Sequence, residues 1–194
     1  MKKIRINLFI ICLLGVLAEV CAQESTWREM PYFLKGYEKQ YKKSPKEAAL
    51  SWFKDARFGL FVHWGPASLY GQGEWVMYNN RIPIKEYEQK AREFKGDKFN
   101  AQDYVKLALD ANMKYITFVI KHHDGFALWD SKASDYNSVK YPSGRDFLKE
   151  LSIACKKAGL GLFIYYSVGL DWHHPYYIPN TMYDPARPHY TKTP

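Results

Sequence analysis

The chain has 194 residues, a length that fits one ordinary domain. Its 47% hydrophobic and 25% charged residues are normal for a globular protein, whereas its 17% aromatic residues are many. The formal net charge of +8 is scattered along the chain without a basic block, which argues against a nucleic-acid interface. Aromatic rings suit carbohydrate binding because they offer flat apolar faces to sugars, although composition alone favours a core rich in large side chains.

Residues 1–22 have the pattern of a secretory signal peptide. Three basic residues precede an apolar run over residues 8–18, which is too short for a comfortable membrane span. Small residues then resemble a cleavage site, so we expect the mature chain to begin at Gln23 and to be exported to the periplasm or beyond. Lipid attachment at Cys21 is the less favoured alternative, because Val20 is bulky for the position before a lipidated cysteine.

Removal of that segment leaves Cys155 as the single cysteine of the mature chain, which excludes a disulfide within it. Cys155 shares a helical face with Phe147 and Leu151. We therefore expect a buried structural thiol and not a nucleophile.

The predicted elements alternate between strands and helices. Residues 23–50 are polar and aromatic without a clear period, except that Ser44 and Pro45 predict the start of a helix. Asn100 and Asp146 are predicted helix caps further along the chain. The predicted order is a strand over residues 58–63, a long loop, a helix over 101–111, a strand over 115–120, a loop, a helix over 147–158 closed by Gly159, and a strand over 162–167. Buried strands alternating with helices indicate a parallel sheet and an α/β fold.

Polar residues follow the end of each predicted strand. His63 ends the first strand, His122 and His123 follow the second, and Tyr165 and Tyr166 end the third. Five of the six histidines lie at or just after such ends. Because ligand sites of parallel α/β folds lie beyond the carboxyl ends of the strands, we expect these side chains to line one pocket.

A metal centre is an alternative interpretation of these histidines, because imidazole is the commonest protein ligand for metals. Zinc barrels that hydrolyse amides typically carry His-x-His at the end of the first strand, where this chain has only His63. Ligand spacing therefore favours neutral histidines that hydrogen-bond substrate hydroxyls, with no metal and no cofactor.

Glu74 and Trp75 lie in a glycine-rich loop after the first strand. A carboxylate there can accept hydrogen bonds from vicinal hydroxyls while the indole forms an apolar wall. A surface turn with a stacked tryptophan explains the same residues about equally well.

Four sequence runs together carry a family resemblance. They are residues 58–65 (FGLFVHWG), residues 74–75, residues 121–131 (KHHDGFALWDS), and residues 165–167 with 170–172. They occur in the right order over residues 52–172, and they resemble glycoside hydrolase family 29, the α-L-fucosidases. The resemblance implies a somewhat irregular (β/α)₈-type barrel and retaining hydrolysis of α-linked L-fucose.

The resemblance also implies a set of fucose-binding residues. These are His63, Glu74, Trp75, His122, His123 and Tyr165. Only one of Tyr165 and Tyr166 is expected to face the pocket, because adjacent strand residues point to opposite faces. Trp129 either packs beside the sugar or closes the top of the barrel as a loop aromatic.

The catalytic carboxyls are expected outside this chain. A retaining glycosidase needs two carboxyl groups about 5–5.5 Å apart. In the family the nucleophile is an Asp at the end of the fourth strand and the acid/base comes later, whereas only a loop to Pro194 follows Ser167 here. The family pattern gives that role to none of Asp124, Asp130 and Asp171, so we assign no catalytic residue.

Residues 23–194 are accordingly expected to form the N-terminal part of a barrel whose full form needs about 250 residues. By itself such a piece is expected to be insoluble or molten. A non-catalytic sugar-binding protein and a metal-dependent barrel hydrolase remain as alternatives. The expected partner is a fucosylated glycan, with no nucleic acid and no membrane span, while the oligomeric state stays open.

Overall fold

The structure is a computed structural model that describes residues 29–174. The predicted signal peptide at residues 1–22 and the tail at 175–194 lie outside the described residues. Its helices and strands are α1 (Glu38–Lys43), α2 (Pro45–Ala56), β1 (Leu60–Val62), α3 (Val76–Asn79), α4 (Ile84–Ala91), α5 (Ala101–Asp110), β2 (Tyr115–Lys121), α6 (Phe147–Ala158) and β3 (Gly161–Tyr166). Short 3₁₀ turns span Tyr32–Leu34 and Pro66–Tyr70. No helix within this range is long and apolar enough to cross a membrane.

The chain divides into two compact units, and the first ends within α2. As predicted, α2 begins at Pro45, whose fixed φ and missing N–H suit the first helical position. The Ser44 hydroxyl accepts a hydrogen bond from the backbone N–H of Glu47 at 3.3 Å. Leu34 and Ala48 are buried in this unit.

The second unit begins at Lys54 and contains the sheet. Its strands are parallel in the order β1-β2-β3, with Leu60 paired to Ile116 and Ile116 to Leu162. The predicted parallel α/β arrangement is therefore confirmed. β1 is shorter than the predicted 58–63, because the backbone N–H of Phe58 turns back to the carbonyl of Ala56.

One face of the sheet packs on α5 and α6. Ile116 and Phe118 of β2 are fully buried there, beside Phe147 and Leu151 of α6. Cys155 lies one helical repeat further along α6 and is also fully buried. Burial raises the pKa of this thiol to about 11, which confirms the predicted structural cysteine.

Local capping fixes the bounds of these helices. The Asn100 side chain accepts a hydrogen bond from the backbone of Gln102 at 3.0 Å, and that of Asp146 accepts one from Lys149 at 2.8 Å. Gly159 closes α6 with a φ of 72°, a conformation that glycine adopts without steric cost. All three predicted caps are confirmed.

The prediction of a long loop between the first strand and the next helix is wrong. This segment contains the 3₁₀ turn Pro66–Tyr70 and the helices α3 and α4. The helices have four and eight residues, too short to be stable from local propensity alone. They are stabilised by burial of Met77 and Tyr87 in a small cluster with Trp172, a contact that sequence periodicity does not reveal.

Candidate functional site

Three of the predicted site residues converge at the carboxyl end of the sheet. His63 directly follows β1, Glu74 lies in the loop that leaves it, and His122 directly follows β2. A ring nitrogen of each histidine and a carboxylate oxygen of Glu74 all lie within 4.8 Å of one another. The ring centroids of His63 and His122 are 5.5 Å apart. The parallel sheet thus brings residues 59 positions apart in the chain to one point.

A turn at the end of β2 places both adjacent histidines on the same side. The β2–β3 register shifts between Val119 and Lys121, and the rings of His122 and His123 then lie 4.0 Å apart. The strict alternation of strand side chains therefore ends before the pair.

Tyr165 and Tyr166 point to opposite faces of β3, as predicted. The Tyr165 ring lies 6.2 Å from that of His63 and 6.1 Å from that of His122. Tyr166 instead lies 5.9 Å from Trp129, on the other side. Trp129 also packs against the main core, so the structure favours the loop-aromatic interpretation of this residue over a place beside the ligand.

Two tryptophans, Trp75 and Trp172, lie beside His123. The Trp75 ring lies 5.0 Å from that of His123 and 5.3 Å from that of Trp172, and Trp75 is 37% exposed. Trp172 is buried and also contacts His123 at 5.4 Å. Trp172 is not among the predicted site residues, although it belongs to residues 170–172, one of the runs that carry the family resemblance.

A cavity of about 170 Å³ opens among these residues. It is smaller than the about 300–1,000 Å³ of pockets for drug-sized ligands, which suits a single small ring. Its lining includes His63, Glu74, His122, Trp64, Ser68, Val119, Asp124 and Phe126. His123, Trp75 and Tyr165 do not line this cavity, and they contact the histidines that do.

Burial keeps the paired histidines neutral. It lowers the pKa of His122 to about 4, with further lowering from the neighbouring His123 and His63 and an opposing effect of Glu74. Burial also lowers the pKa of His123. A neutral imidazole has one donor and one acceptor nitrogen, which matches the two hydrogen-bonding modes of a hydroxyl group.

Asp124 is the buried carboxylate beneath the cavity. Its oxygens accept hydrogen bonds from the Tyr87 hydroxyl at 2.7 Å and from the backbone N–H of Phe126 at 3.1 Å. Burial is the main influence on its pKa, which is raised. The predicted turn role is confirmed, since the next residue, Gly125, has a φ of 80°.

An ion pair anchors the loop after β3. The Lys121 ammonium lies 2.7 Å from the Asp171 carboxylate, and both side chains are mostly buried. The loop also passes so close to Gly125 that a Cβ there would lie 2.6 Å from the Asp171 carboxylate. Any larger residue at position 125 would displace the loop.

The trio His63, Glu74 and His122 is also a His₂Glu set of the kind found in catalytic zinc sites. However, metal-bound histidines almost always donate their second ring N–H to a protein group. Nδ1 of His122 is buried and has no hydrogen-bond partner within residues 29–174. The arrangement therefore suits hydroxyl recognition better than metal binding.

Comparison with known sequences identifies α-L-fucosidases among the relatives of this chain. The sequence model of the α-L-fucosidase family matches residues 26–192. The tissue α-L-fucosidase of Macaca fascicularis is 31% identical over 88% of this chain and 38% of its own length. The plasma α-L-fucosidase of Rattus norvegicus is 34% identical over 66% of this chain and 32% of its own length.

Solved structures show the same similarity. The α-L-fucosidase isoenzyme 1 of Paenibacillus thiaminolyticus has a TM-score of 0.65 and 38% identity over 72% of this chain and 35% of its own. The α-L-fucosidase AlfC of Lactobacillus casei, in complex with its α-L-fucose product, has a TM-score of 0.61 and 40% identity, covering 64% of this chain and 42% of its own. The chain thus spans between 32% and 42% of the lengths of these relatives.

Proposed function

Because this chain belongs to the α-L-fucosidase family, we propose that its pocket binds the L-fucosyl unit of a fucosylated glycan whose α-linkage the enzyme hydrolyses with retention of configuration. The observation that carries the proposal is the convergence of His63, Glu74 and His122 within 4.8 Å in the lining of the cavity. Two imidazole rings, whose nitrogens donate or accept hydrogen bonds, lie beside one carboxylate and match a set of vicinal hydroxyls.

Each member of the site takes a role that its position supports. His63 and His122 hydrogen-bond ring hydroxyls, and Glu74 accepts hydrogen bonds from a vicinal pair. Trp75 offers a partly exposed apolar face, which suits the C–H face or methyl group of a deoxysugar. His123 and Tyr165 contact His122 from the second and third strands and extend the site beyond the lining of the cavity.

The chemical step needs carboxyl groups that we place outside this chain. Both oxygens of Asp124 are occupied by Tyr87 and Phe126, so this pocket carboxyl is a structural group. The nucleophile and the acid/base would come from the part of the relatives that the chain does not cover. In this proposal residues 23–194 are the N-terminal part of a (β/α)₈-type barrel, and residues 1–22 direct export.

A test of the proposal begins with the DNA that follows the codon for Pro194. We expect it to encode, in one of the frames, an apolar fourth strand that ends in an aspartate. Stop codons in every frame would contradict the proposed hydrolase function. The alternative of a non-catalytic sugar-binding protein would then be favoured.

The protein from the complete reading frame would then be assayed with 4-nitrophenyl α-L-fucopyranoside. We expect hydrolysis that releases α-L-fucose first, as seen by NMR, and an activity loss of at least about a hundredfold in His63→Ala. The matched control is Lys106→Ala, an exposed residue of α5 that should leave activity unchanged. A folded protein without fucosidase activity, or equal losses in both variants, would contradict the proposal.

A further inference from the structure

The Ser167 hydroxyl lies between the His123 ring and a backbone carbonyl. Its oxygen is 2.7 Å from Nδ1 of His123 and 2.5 Å from the carbonyl oxygen of Leu170. Ser167 and His123 are both buried, with exposures of 4% and 7%. The contact is therefore shielded from competing water.

The chemistry of the three atoms determines where the protons lie. A carbonyl oxygen only accepts hydrogen bonds, so the single hydroxyl hydrogen of Ser167 points to Leu170. The Ser167 oxygen then accepts from His123, which requires the hydrogen of the neutral imidazole to be on Nδ1. The other ring nitrogen, Nε2, is left with a lone pair and can only accept a hydrogen bond.

The surrounding backbone holds this geometry in place. The carbonyl of His123 accepts a hydrogen bond from the backbone N–H of Trp172 at 2.6 Å. The backbone N–H of Ser167 donates to the carbonyl of Lys121 at 3.0 Å, and the Lys121 ammonium donates to the Ser167 carbonyl at 3.3 Å. The loop after β3 and the end of β2 are thus tied together at Lys121 and at His123.

The neighbouring histidine lacks such a partner. Nδ1 of His122 is buried without a hydrogen-bond partner in the described part of the chain. The two adjacent rings therefore differ, since the hydrogen position is fixed by the protein in His123 and left open in His122.

We propose that Ser167 is a positioning residue, which holds His123 in its Nδ1–H tautomer so that Nε2 accepts a hydrogen bond from one ligand hydroxyl, while His122 takes whichever tautomer the ligand requires. The ligand part rests on the proposed function, whereas the tautomer does not. The consequence for specificity is that one hydroxyl of the sugar must donate. A sugar methylated on that oxygen loses the donor and should bind at least about tenfold more weakly.

The test is long-range ¹H–¹⁵N NMR of the histidine rings in the protein from the complete reading frame, with His123→Gln to assign the signals. We expect His123 to show a protonated Nδ1 and a bare Nε2 near neutral pH, unchanged by L-fucose. His122 is expected to show shifts between the tautomers when L-fucose is added. A His123 ring with its hydrogen on Nε2 would overturn the proposal.

Variants separate positioning from simple structural support. Ser167→Ala should shift His123 towards the Nε2–H tautomer and raise the Kd for L-fucose about tenfold, whereas Ser167→Thr keeps the hydroxyl and should restore both. Ser131→Ala is the matched control. This buried serine does not line the cavity, and its hydroxyl accepts a hydrogen bond from the backbone N–H of Ala133. An unchanged His123 tautomer in folded Ser167→Ala would also overturn the proposal. If His123 shows the expected tautomer but the protein does not bind L-fucose, the result contradicts the proposed function and not the positioning role of Ser167.

Discussion

The two sides of the pocket are built differently. We call residues 63–75 the β1 rim, and residues 121–126 with 165–172 the β2–β3 rim. In the β2–β3 rim, hydrogen bonds or ion pairs hold His123, Lys121 and Asp171, and half of the residues of the rim are buried. In the β1 rim, His63 is exposed and Glu74 half-buried, and neither side chain hydrogen-bonds to another residue of the described range.

This difference indicates a division of labour. Polar groups with protein partners stabilise the fold and fix geometry, whereas unpaired polar groups at a cavity gain their partners from a ligand. We therefore expect substitutions of the ion-paired Lys121 and Asp171 in the β2–β3 rim to act mainly on stability, and substitutions in the β1 rim to act mainly on sugar affinity. His122, whose Nδ1 is unpaired within the described residues, and Ser167, which positions His123, are the members of the β2–β3 rim that also affect affinity. Each variant is made in the full-length protein.

The largest expected effect is on stability, in the β2–β3 rim. Lys121→Met should lower the free energy of unfolding by about 3 kcal/mol, because it removes the ammonium that faces the mostly buried Asp171 carboxylate. Urea denaturation measures the change. Lys106→Met, which breaks an exposed ion pair on α5, should cost less than about 1 kcal/mol, and equal losses in the two variants would contradict the comparison.

The next effect is on affinity, in the β1 rim. Glu74→Gln should weaken L-fucose binding about 10- to 100-fold, because a charged acceptor of sugar hydroxyls becomes a neutral amide. The unfolding free energy should stay within about 0.5 kcal/mol of the original. Calorimetric titration and urea denaturation provide the two readings, with the exposed Asp110→Asn as the matched control. If Glu74→Gln lowered the stability of the protein without weakening L-fucose binding, the β1 rim would act on stability, contrary to our expectation.

A smaller effect is expected from pH. The pKa of His122 is about 4 in the folded protein and 6.5 in its ordinary state, so the unfolded chain binds the proton more readily. Stability should therefore be complete above about pH 6.5 and should fall as the pH drops towards 4. Since His122 is partly exposed, we expect its share of the loss to be about 1–2 kcal/mol.

A variant measures how much His122 contributes to this loss of stability at low pH. Urea denaturation of the original protein and of His122→Gln at about pH 7 and about pH 4.5 gives the difference, since both proteins share the remaining titratable groups. The variant should lose less stability than the original between the two pH values. An identical loss would show that His122 does not stay neutral in the folded protein.

The smallest expected effect is that of a chelator. If the pocket binds hydroxyls, dialysis against EDTA should leave both L-fucose affinity and stability unchanged, and added Zn²⁺ should not be retained after gel filtration. Elemental analysis of the dialysed protein measures retained metal. Stoichiometric zinc that survives dialysis would favour a metal-dependent hydrolase.

Local signals made much of the fold predictable. Asn100, Asp146 and Gly159 mark helix ends through their own backbone chemistry, and the β-branched run of β2 marks a buried strand. The convergence of His63 and His122 followed from one topological rule, that parallel strands end at one edge. The sequence could predict these features because each depends on neighbours in the chain or on strand order.

Features that depend on distant contacts were not predictable. The helices α3 and α4 exist because Met77 and Tyr87 are buried with Trp172, far away in the sequence. The hydrogen bond between Ser167 and His123 likewise joins positions 44 residues apart. No local pattern distinguishes these residues from other buried aromatics and serines.

We propose that His63, Glu74 and His122 surround one deoxysugar, and a crystal structure of the protein with L-fucose tests this arrangement most directly. We predict one sugar ring in the cavity, with its hydroxyls within hydrogen-bond distance of all three side chains at once. An ordered sugar bound elsewhere, or the three side chains turned away from an empty cavity at saturating L-fucose, would contradict the account.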